Sequence, residues 1–484
     1  MISKQEILQR ATQWQLQPQI VEKDYVLGWL LAGLSKHPEA AKYWVFKGGT
    51  CIKKCYLETY RFSEDLDFSL LADTPSYSEE TIKRLLTDVS TITHDASGIN
   101  FPEEVKIVER KNKQGDLTFE GRVYYRGPLG TPTSARVKFD ITRHEPIIDA
   151  PEIRPILHSY PDSLNVPGVQ SYSLHELLAE KSRALYERTR PRDLYDVVYL
   201  LENHAQLLTL DFLRDLFYKK CSIKSLPLSS SNELIQVVLN SDELRSEWGN
   251  MLAHQLPVLP PIDALLERLP PLLSWLDRIT RIQPETPLPT AVSGEYSVQE
   301  RVNLSDGLYY SSAQLPLEQI RFAAASRLLL TYEYHGKQRM VEPYSLRKSK
   351  DGTILLYAWD GGPTIKAFKV DEMRNVSVSA DAFHPRYHIE ITDTSAGDIP
   401  PVSTDRRAHV SNYISGRSEY TVSKRRISAG RKYRSNNTTK YVFQCANCGK
   451  KLTKSSNDTT LRKHKYPDGY SNCTGRRGYL IETR

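Results

Sequence analysis

The sequence contains little cysteine for its length and no long apolar run. Six cysteines in 484 residues do not make a disulfide framework, and three of them cluster near the end of the chain. No uninterrupted run of about 18 apolar residues occurs, so neither a membrane span nor a membrane partner is expected. The first residues also lack the apolar stretch of a secretory signal. These absences predict a protein of the reducing cytoplasm.

Charge is distributed unevenly along the chain. The net charge is +7, yet residues 401–484 hold 19 lysines and arginines against 5 aspartates and glutamates. The preceding residues therefore carry an excess of acidic groups. Any attraction to a phosphate backbone should be concentrated in this basic tail. A tail of this charge is also compatible with a purely solubilising role.

Length and composition indicate a soluble globular protein of several domains. The hydrophobic content is 39% and the charged content 25%, and 484 residues exceed one ordinary core. We predict an α+β protein in five segments. These are an α-rich unit with a short mixed sheet (1–282), a linker (283–314), a β-rich domain (315–390), a basic linker (391–440) and a small cysteine-containing unit (441–484).

Two aspartates lie two residues apart on one predicted strand. Side chains at this spacing project from the same face, so Asp65 and Asp67 can share metal ions. Asp140, on another predicted strand, could complete a site for one or two Mg²⁺ ions, which prefer oxygen ligands. Gly48 and Gly49, between a strand and a helix, would let backbone amides approach a phosphate. Each element alone is more often a solvated strand face or a plain turn, so the prediction depends on their order.

This order of motifs resembles the AbiEii family of nucleotidyltransferase toxins, members of the DNA polymerase β-like superfamily. The resemblance begins at Val21, covers about the first 200 residues and extends more weakly to about 280. The motifs that carry it are Lys47-Gly48-Gly49-Thr50, Arg61-Phe62-Ser63-Glu64-Asp65-Leu66-Asp67-Phe68, Lys138-Phe139-Asp140-Ile141, the stretch from His175 to Leu185, and Arg192-Asp193-Leu194-Tyr195-Asp196-Val197. It implies a polymerase-β-like nucleotidyltransferase fold with an accompanying helical part.

The resemblance implies a nucleotide-binding role for five positions. Gly48, Gly49 and Ser63 would cradle the phosphates. Thr50 stands where many family members have serine, and it keeps the hydroxyl. Lys181 would reach the triphosphate as a point charge, which predicts an exposed lysine that contributes little to the core.

The resemblance also implies the catalytic carboxylates. Asp65 and Asp67 would hold Mg²⁺, and Asp140 would be a further metal ligand or a base. Asp193, with Asp196 one turn further on, would act as a base or as the anchor of Lys181. The alternative for Asp193 is an ion pair with its neighbour at the start of a helix.

Function follows from the resemblance as an expectation. It implies an NTP substrate, an acceptor among nucleic acids, typically the ends of tRNA, and a toxin or phage-defence role with a cognate antitoxin. Two alternatives stay open. The chain could be a nucleic-acid-binding regulator with a degenerate catalytic fold, or it could transfer the nucleotide to a small molecule or a protein.

The β-rich segment at 315–390 resembles a WYL domain, a small Sm-like β-barrel. The namesake Trp-Tyr-Leu is replaced by Ile354-Leu355-Leu356. Such domains are thought to sense nucleic acid or a nucleotide, which implies a ligand site formed by side chains capable of stacking and phosphate binding: Tyr344, Ser345, Arg347, Tyr357, Trp359 and Lys366. In the alternative, the aromatic residues fill the barrel and Arg347 is a surface charge.

The last segment has the spacing of a structural zinc site. Cys445 and Cys448 are separated by two residues, and His464 and Cys473 complete a tetrahedral set. A segment of this size has too little core to fold unaided, so Zn²⁺ would supply the missing stability. The basic and aromatic residues around it favour a nucleic-acid partner. The other three cysteines, Cys51, Cys55 and Cys221, are interpreted as packing residues.

Overall fold

The computed structural model describes most of the chain up to residue 393 and parts of the end. The described residues are 1–111, 117–143, 145–227, 230–277, 286–288, 298–302, 315–393, 441–445, 450–454, 461, 464, 473 and 478–483. They belong to two compact units, Met1–Val402 and Ser403–Arg484. Within these ranges no helix is both long and apolar enough to cross a bilayer.

A seven-stranded mixed sheet forms the centre of the first part of the larger unit. Its strands are β1 (Trp44–Lys47), β2 (Asp65–Leu70), β3 (Lys106–Lys111), β4 (Leu117–Tyr125), β5 (Ala135–Thr142), β6 (Glu152–Arg154) and β7 (Val169–Ser171). The order is β3-β4-β5-β2-β1-β7-β6. Strand β2 runs antiparallel to β1 and parallel to β5. The strands predicted at the motifs around 44, 65 and 135 are therefore confirmed.

Helices surround this sheet and continue beyond it. They are α1 (Lys4–Trp14), α2 (Pro18–Lys36), α3 (Pro38–Tyr43), α4 (Gly48–Cys51), α5 (Glu79–Ser97), α6 (Leu174–Arg188), α7 (Pro191–His204), α8 (Leu210–Ile223), α9 (Ser231–Leu239), α10 (Asp242–Ser246), α11 (Trp248–Leu252) and α12 (Ile262–Leu272). A π-helical turn, Ile52–Tyr56, continues α4. The apolar face of β2, with Leu66, Phe68 and Leu70, is buried in the core. Alternation along the strand consequently places its aspartates on the opposite face.

The starts of helices α6 and α7 are defined by a capping serine and a proline, respectively. The Ser173 hydroxyl accepts the backbone N–H of Glu176 at 3.1 Å and caps α6, while Pro191 occupies the first turn of α7. The turn between the helices uses Thr189 in the left-handed region, with φ of 45°. The two helices therefore pack side by side, and the side chains of one reach those of the other.

A second sheet occupies the region expected to be a barrel. Its strands are β8 (Val298–Arg301), β9 (Leu328–Tyr334), β10 (Lys337–Ser349), β11 (Ile354–Trp359), β12 (Lys366–Lys369) and β13 (Arg374–Ala382), and helix α13 (Leu317–Ser326) lies between β8 and β9 in the chain. Long strand β10 pairs with β9 through its first half and with β11 through its second, and the register shifts between Pro343 and Ser345. No pairing between β12 and β13 joins the ends of the path within the described residues. A closed sheet is therefore not shown among the described residues, and the Sm-like barrel stays a prediction.

This second region is joined to the first by polar contacts. The Thr59 hydroxyl donates to Glu318 at 3.0 Å, which ties α13 to the segment leading to β2. Arg327, at the end of α13, donates to the Asn203 side chain and to the backbone carbonyl of Glu202 at 3.2 Å. Both of these residues belong to the last turn of α7. The second sheet is thus anchored on the helix that carries Asp193.

The smaller unit contains a three-stranded sheet. Its strands are β14 (Tyr441–Cys445), β15 (Lys451–Lys454) and β16 (Gly478–Thr483), in the order β15-β14-β16. Both pairings of the central strand are antiparallel. The predicted linkers lie largely outside the described residues, and the boundaries proposed for the five segments stay predictions.

Candidate active site

The register of the sheet places the predicted carboxylates side by side. Asp67 on β2 lies opposite Asp140 on β5, and on its other side it lies opposite Lys47 on β1. Asp65 lies opposite Lys138. Because side chains in one row of a sheet share a face, Asp65, Asp67 and Asp140 all point to the side away from the buried core.

The glycine turn after β1 lies directly against Asp67. Gly48 has φ of +79°, and a Cβ atom built on it would come within 2.2 Å of the Asp67 Oδ2 atom. A Cβ on Gly49 would come within 2.4 Å of the Arg61 guanidinium. A residue with a side chain fits at neither position without displacing a charged group. The backbone of the turn therefore lies so close to the Asp67 carboxylate that no side-chain atom fits between them.

Electrostatics at Asp67 are unfavourable for an ionised carboxylate. Burial, followed by the neighbouring negative charge of Asp140, raises the pKa of Asp67 to about 6, and the positive charges of Lys47 and Lys181 offset only part of this. Burial also raises the pKa of Asp65. Carboxylates held together against their own repulsion suit a divalent cation, which supplies the missing positive charge. Asp65 and Asp67 therefore fit a metal site.

Asp140 is less tightly associated with the pair. Its Oδ2 atom accepts from Lys138 Nζ at 2.7 Å, and its side chain is 38% exposed. Across the described residues, the only set of three or more Asp, Glu, His or Cys ligand atoms within 4.8 Å of one another lies elsewhere in the chain. Asp140 thus shares the face of Asp65 and Asp67 without converging fully on them.

The two hydroxyl groups predicted to bind phosphate, those of Thr50 and Ser63, have different surroundings. Thr50 donates to the backbone carbonyl of Asp65 at 2.5 Å, which fixes the glycine turn to the start of β2. The structure thus gives the Thr50 hydroxyl a partner within the protein. Ser63 lies half-buried just before β2, in the segment that follows Arg61.

Lys181 belongs to a buried ion cluster formed with α7. Its Nζ atom lies 3.2 Å from Asp193 and 2.8 Å from Asp196, and the side chain is only 12% exposed. Burial alone would lower the pKa of Lys181, but Asp196 and Asp193 outweigh it and raise the pKa. The expectation of an exposed lysine was wrong, because the two aspartates draw the ammonium group inward. Its expected pairing with Asp193 is what the structure shows.

Arg61 completes this cluster from the segment that leads to β2. It donates to both oxygens of Asp196, at 2.6 and 2.8 Å, and Tyr60 donates to the same carboxylate. Burial would raise the pKa of Asp196, yet the charges of Arg61 and Lys181 hold it below the usual value. On the other side, Arg188 donates to Asp193 at 2.8 Å. The alternating charges join α6, α7 and the approach to β2.

Sequence reasoning missed Lys47 and Arg61 as members of the site. Lys47 forms an ion pair with Glu145 and lies 3.8 Å from Glu180, and these contacts outweigh burial and raise its pKa. Both residues belong to the quoted motifs, Lys47 directly before Gly48 and Arg61 four residues before Asp65. This position could have indicated a role in the site, but the burial of a charged residue cannot be inferred from a sequence.

Part of the chain is similar to a known protein family. Residues 29–268 match the family model described as nucleotidyl transferase AbiEii toxin, type IV toxin–antitoxin system. This match covers just under half of the chain. Among solved structures, the chain is similar to MenT4, a nucleotidyltransferase toxin from Mycobacterium tuberculosis H37Rv, with 18% identity and a TM-score of 0.37 over 58% of this chain and 91% of that one. No curated protein matches the sequence.

Beyond the region matched by the family model, most of the predicted WYL ligand residues are part of the core. Tyr344, Ser345, Arg347 and Tyr357 are buried. Ser345 and Arg347 both bind Glu390, and the Arg347 guanidinium lies 4.4 Å from the Tyr357 ring centre. Arg347 is therefore not the surface charge of the alternative interpretation either, because Glu390 and the tyrosine ring hold it inside.

The two remaining WYL candidates are partly exposed. The Arg386 guanidinium lies 3.9 Å from the ring centre of Trp359. Lys366 binds Asp360 at 2.6 Å. Four of the six predicted residues are therefore buried and two are partly exposed, and the ligand site itself stays a prediction.

The smaller unit brings three of the four predicted zinc ligands together. The ligand atoms of Cys445, His464 and Cys473 all lie within 4.8 Å of one another, and the two sulfur atoms are 3.8 Å apart. Two sulfurs bound to one tetrahedral ion at 2.3 Å are separated by about this distance. Cys448 lies outside the described residues. The three side chains fit a metal site.

The close approach of the glycine turn yields a direct test. Gly48→Ala should disrupt the site, because the added methyl group displaces the Asp67 carboxylate and the residue must adopt a positive φ. Gly130→Ala is the matched control, since Gly130 also has a positive φ, of +64°, but no atom lies within 4 Å of its Cβ position. The Mg²⁺-induced rise in melting temperature should be lost in Gly48→Ala and kept in Gly130→Ala. Equal Mg²⁺ responses in the two variants would contradict the close packing.

The raised pKa of Asp67 predicts a specific pH dependence. An acid whose folded pKa exceeds its unfolded value destabilises the metal-free protein once both forms ionise, above about pH 6. Asp67→Asn should therefore melt several degrees higher than wild type in EDTA at pH 7.5, with a smaller difference at pH 5. It should also lose the stabilisation that Mg²⁺ gives wild type at pH 7.5. Differential scanning fluorimetry at the two pH values measures both, and a variant less stable than wild type in EDTA at pH 7.5 would disprove the assignment.

Proposed function

We propose that the protein is a metal-dependent nucleotidyltransferase toxin that transfers a nucleotide from an NTP to an RNA acceptor, with tRNA as the leading candidate. The observation that carries the proposal is the packing of the Gly48 turn against Asp67, beside Asp65 and Asp140. It sets backbone amides, which suit phosphate oxygens, next to carboxylates, which suit a divalent ion. Nucleotidyl transfer requires both groups at one place.

The residues of the site take distinct roles in the proposal. Asp65 and Asp67 would hold one or two Mg²⁺ ions, which when bound neutralise the triphosphate and favour attack on it. The amides of Gly48 and Gly49, with Ser63, would bind phosphate oxygens. The acceptor hydroxyl attacks the α-phosphate in line and pyrophosphate leaves, with Asp140 placed to accept the proton of that hydroxyl.

The buried ion cluster contributes to this reaction by position. Lys181 stands among Asp193, Asp196 and Arg61, and its charge acts on Asp67. We assign Lys181 the task of supplying positive charge towards the triphosphate and Asp193 the task of holding it. A lysine fixed in this way loses little freedom when a nucleotide arrives, which favours catalysis through preorganisation.

The biological setting follows from the family description. A type IV toxin–antitoxin system includes a cognate antitoxin, and we propose such a partner and a cytoplasmic location for this chain. A role in phage defence is part of the same proposal. The competing function, a binding-only regulator, is disfavoured because such a protein would need neither the carboxylates Asp65 and Asp67 nor Lys181, and the sequence contains all three.

The C-terminal unit is proposed to bind one structural Zn²⁺ ion and to help dock the nucleic acid. Its fit to zinc comes from Cys445, His464 and Cys473, with Cys448 as the predicted fourth ligand. The basic composition of residues 401–484 supports the docking role.

Zinc binding is tested by metal content. Full-length protein purified without added metal should contain one zinc ion per chain by elemental analysis. Cys473→Ser should lower this content strongly, because one thiolate ligand is removed from a small unit that depends on the ion. Cys221→Ser, which changes a buried cysteine of the larger unit, serves as the control and should leave it unchanged. Zinc-free wild-type protein that stays folded in this unit would contradict the proposal.

Activity is tested by transfer of label from NTP to RNA. Wild-type protein with Mg²⁺ and each α-labelled NTP should label an RNA pool, and Asp65→Ala should lose on the order of 10³-fold or more in rate, since a metal ligand is removed. Asp215→Ala, which removes an exposed aspartate of α8, is the matched control and should label normally. Equal labelling by wild type and Asp65→Ala would refute the assignment.

A further inference from the structure

The sheet has an open face on the side of the catalytic aspartates. On β3, β4 and β5 the buried face carries apolar side chains such as Phe119, Val137 and Phe139, and Leu86 of α5 packs against it at Gly121. The alternate residues point the other way. The face they form is continuous with the face that carries Asp65 and Asp67, because β3, β4, β5 and β2 are neighbouring strands of one sheet.

A row of cations on this face leads to Asp65. The register aligns Lys106 on β3 with Arg122 on β4, Arg122 with Lys138 on β5, and Lys138 with Asp65 on β2. Strands lie about 4.8 Å apart, so the row is about 14 Å long. Lys106 is exposed, and the side chains of Arg122 and Lys138 are 35% and 38% exposed. A row of solvent-accessible cationic side chains therefore runs from the edge of the sheet to the candidate active site.

The charge of this face is opposite to that of its surroundings. Five cations point outward from β3, β4 and β5: Lys106, Arg110, Arg122, Arg136 and Lys138. Two carboxylates share the face, since Glu120 pairs with Arg110 at 3.2 Å and Arg122 at 2.7 Å, and Asp140 pairs with Lys138 at 2.7 Å. Cations therefore outnumber carboxylates by five to two on this face. Residues 1–400 as a whole carry 46 lysines and arginines and 53 aspartates and glutamates. A locally positive surface on an otherwise acidic region is typical of a site that binds a polyanion.

An aromatic side chain lies within this surface. Tyr124 is two residues beyond Arg122 on β4 and is half-buried, and Lys106 Nζ lies 5.2 Å from its ring centre. Aromatic rings beside cations provide stacking platforms for unpaired bases while the cations hold the phosphates. Bases within a duplex are stacked on one another and cannot use such a ring. The combination favours a single-stranded nucleic acid over a duplex or an acidic protein.

We propose that the open face of β3, β4 and β5 binds the backbone of a single-stranded acceptor segment and directs its end to Asp65. This inference rests on the proposed transfer to RNA and adds the surface that selects the acceptor. Lys106, Arg122 and Arg136 contact phosphates, and Tyr124 stacks on a base. These residues bind the acceptor and do not take part in the chemical step.

The test compares two triple variants of the full-length protein that remove the same charge. Lys106→Gln, Arg122→Gln and Arg136→Gln change the proposed surface, whereas Lys4→Gln, Lys219→Gln and Lys337→Gln change exposed lysines elsewhere. Binding of a fluorescein-labelled oligouridylate is measured by anisotropy over a range of salt concentrations. The surface variant should bind on the order of tenfold to a hundredfold more weakly and lose about 2 from its log–log salt slope. The control should match wild type, and equal behaviour of the two variants would overturn the proposal.

A single substitution separates stacking from charge. Tyr124→Leu should weaken oligouridylate binding about fivefold or more and leave binding of inorganic polyphosphate unchanged. If poly-L-glutamate competes for the surface as strongly as oligouridylate and Tyr124→Leu has no effect, the surface belongs to an acidic protein and the proposal fails.

Binding and turnover distinguish this inference from the proposed function. In transfer assays the surface variant should raise the KM for RNA and leave the KM for NTP and kcat unchanged. Wild type that binds oligouridylate through this face but transfers no nucleotide would refute the transfer reaction and leave the surface standing. Wild type that transfers nucleotides, with a surface variant equal to its control, would refute only the surface.

Discussion

The pairing of Asp196 with Arg61 and Lys181 is the interaction on which the arrangement of the site depends. It joins three parts of the chain that are distant in sequence: the approach to β2, helix α6 and helix α7. Removing one partner of such a buried pair leaves an uncompensated charge and typically costs about 3–5 kcal/mol. Loss of Asp196 would remove the carboxylate that Arg61 binds and leave Lys181 with Asp193. The cluster therefore fixes where Lys181 stands relative to the carboxylates of β2.

The sheet adds a second constraint, which acts through register. A slip of one residue in the pairing of β2 with β5 would move Asp65 and Asp67 into the core and expose Leu66 and Phe68. Burial of the apolar residues thus determines where the charged ones lie. The same alternation on β3, β4 and β5 produces the open basic face. A single hydrophobic pattern therefore positions both the candidate metal ligands and the cations beside them.

The sequence carried more information about the sheet than about the charges behind it. Strands β2 and β5 were predictable because their apolar residues alternate, and β1 because it is a short apolar run. The Asp-x-Asp spacing predicted two carboxylates on one face. The buried state of Lys181 was not predictable, because it depends on contacts across two helices. Lys47 and Arg61 were missed for the same reason. In the second sheet, most of the aromatic and polar residues predicted to bind a ligand are buried and contact other residues of the protein. A residue type that can bind a ligand can equally bind its neighbours in the fold.

The contacts of Arg327 and Glu318 have a consequence for dissecting this protein. Arg327 binds the last turn of α7, and Glu318 binds Thr59 close to Arg61. Helix α13 and the residue that ends it therefore bind polar groups of the region matched to the AbiEii family. A fragment ending at residue 268 would leave Asn203 and Glu202 without these partners and would expose the apolar side chains beneath α13. The end of the family match is therefore not the end of the packing around α7. A fragment that keeps these contacts of α7 extends at least through Arg327.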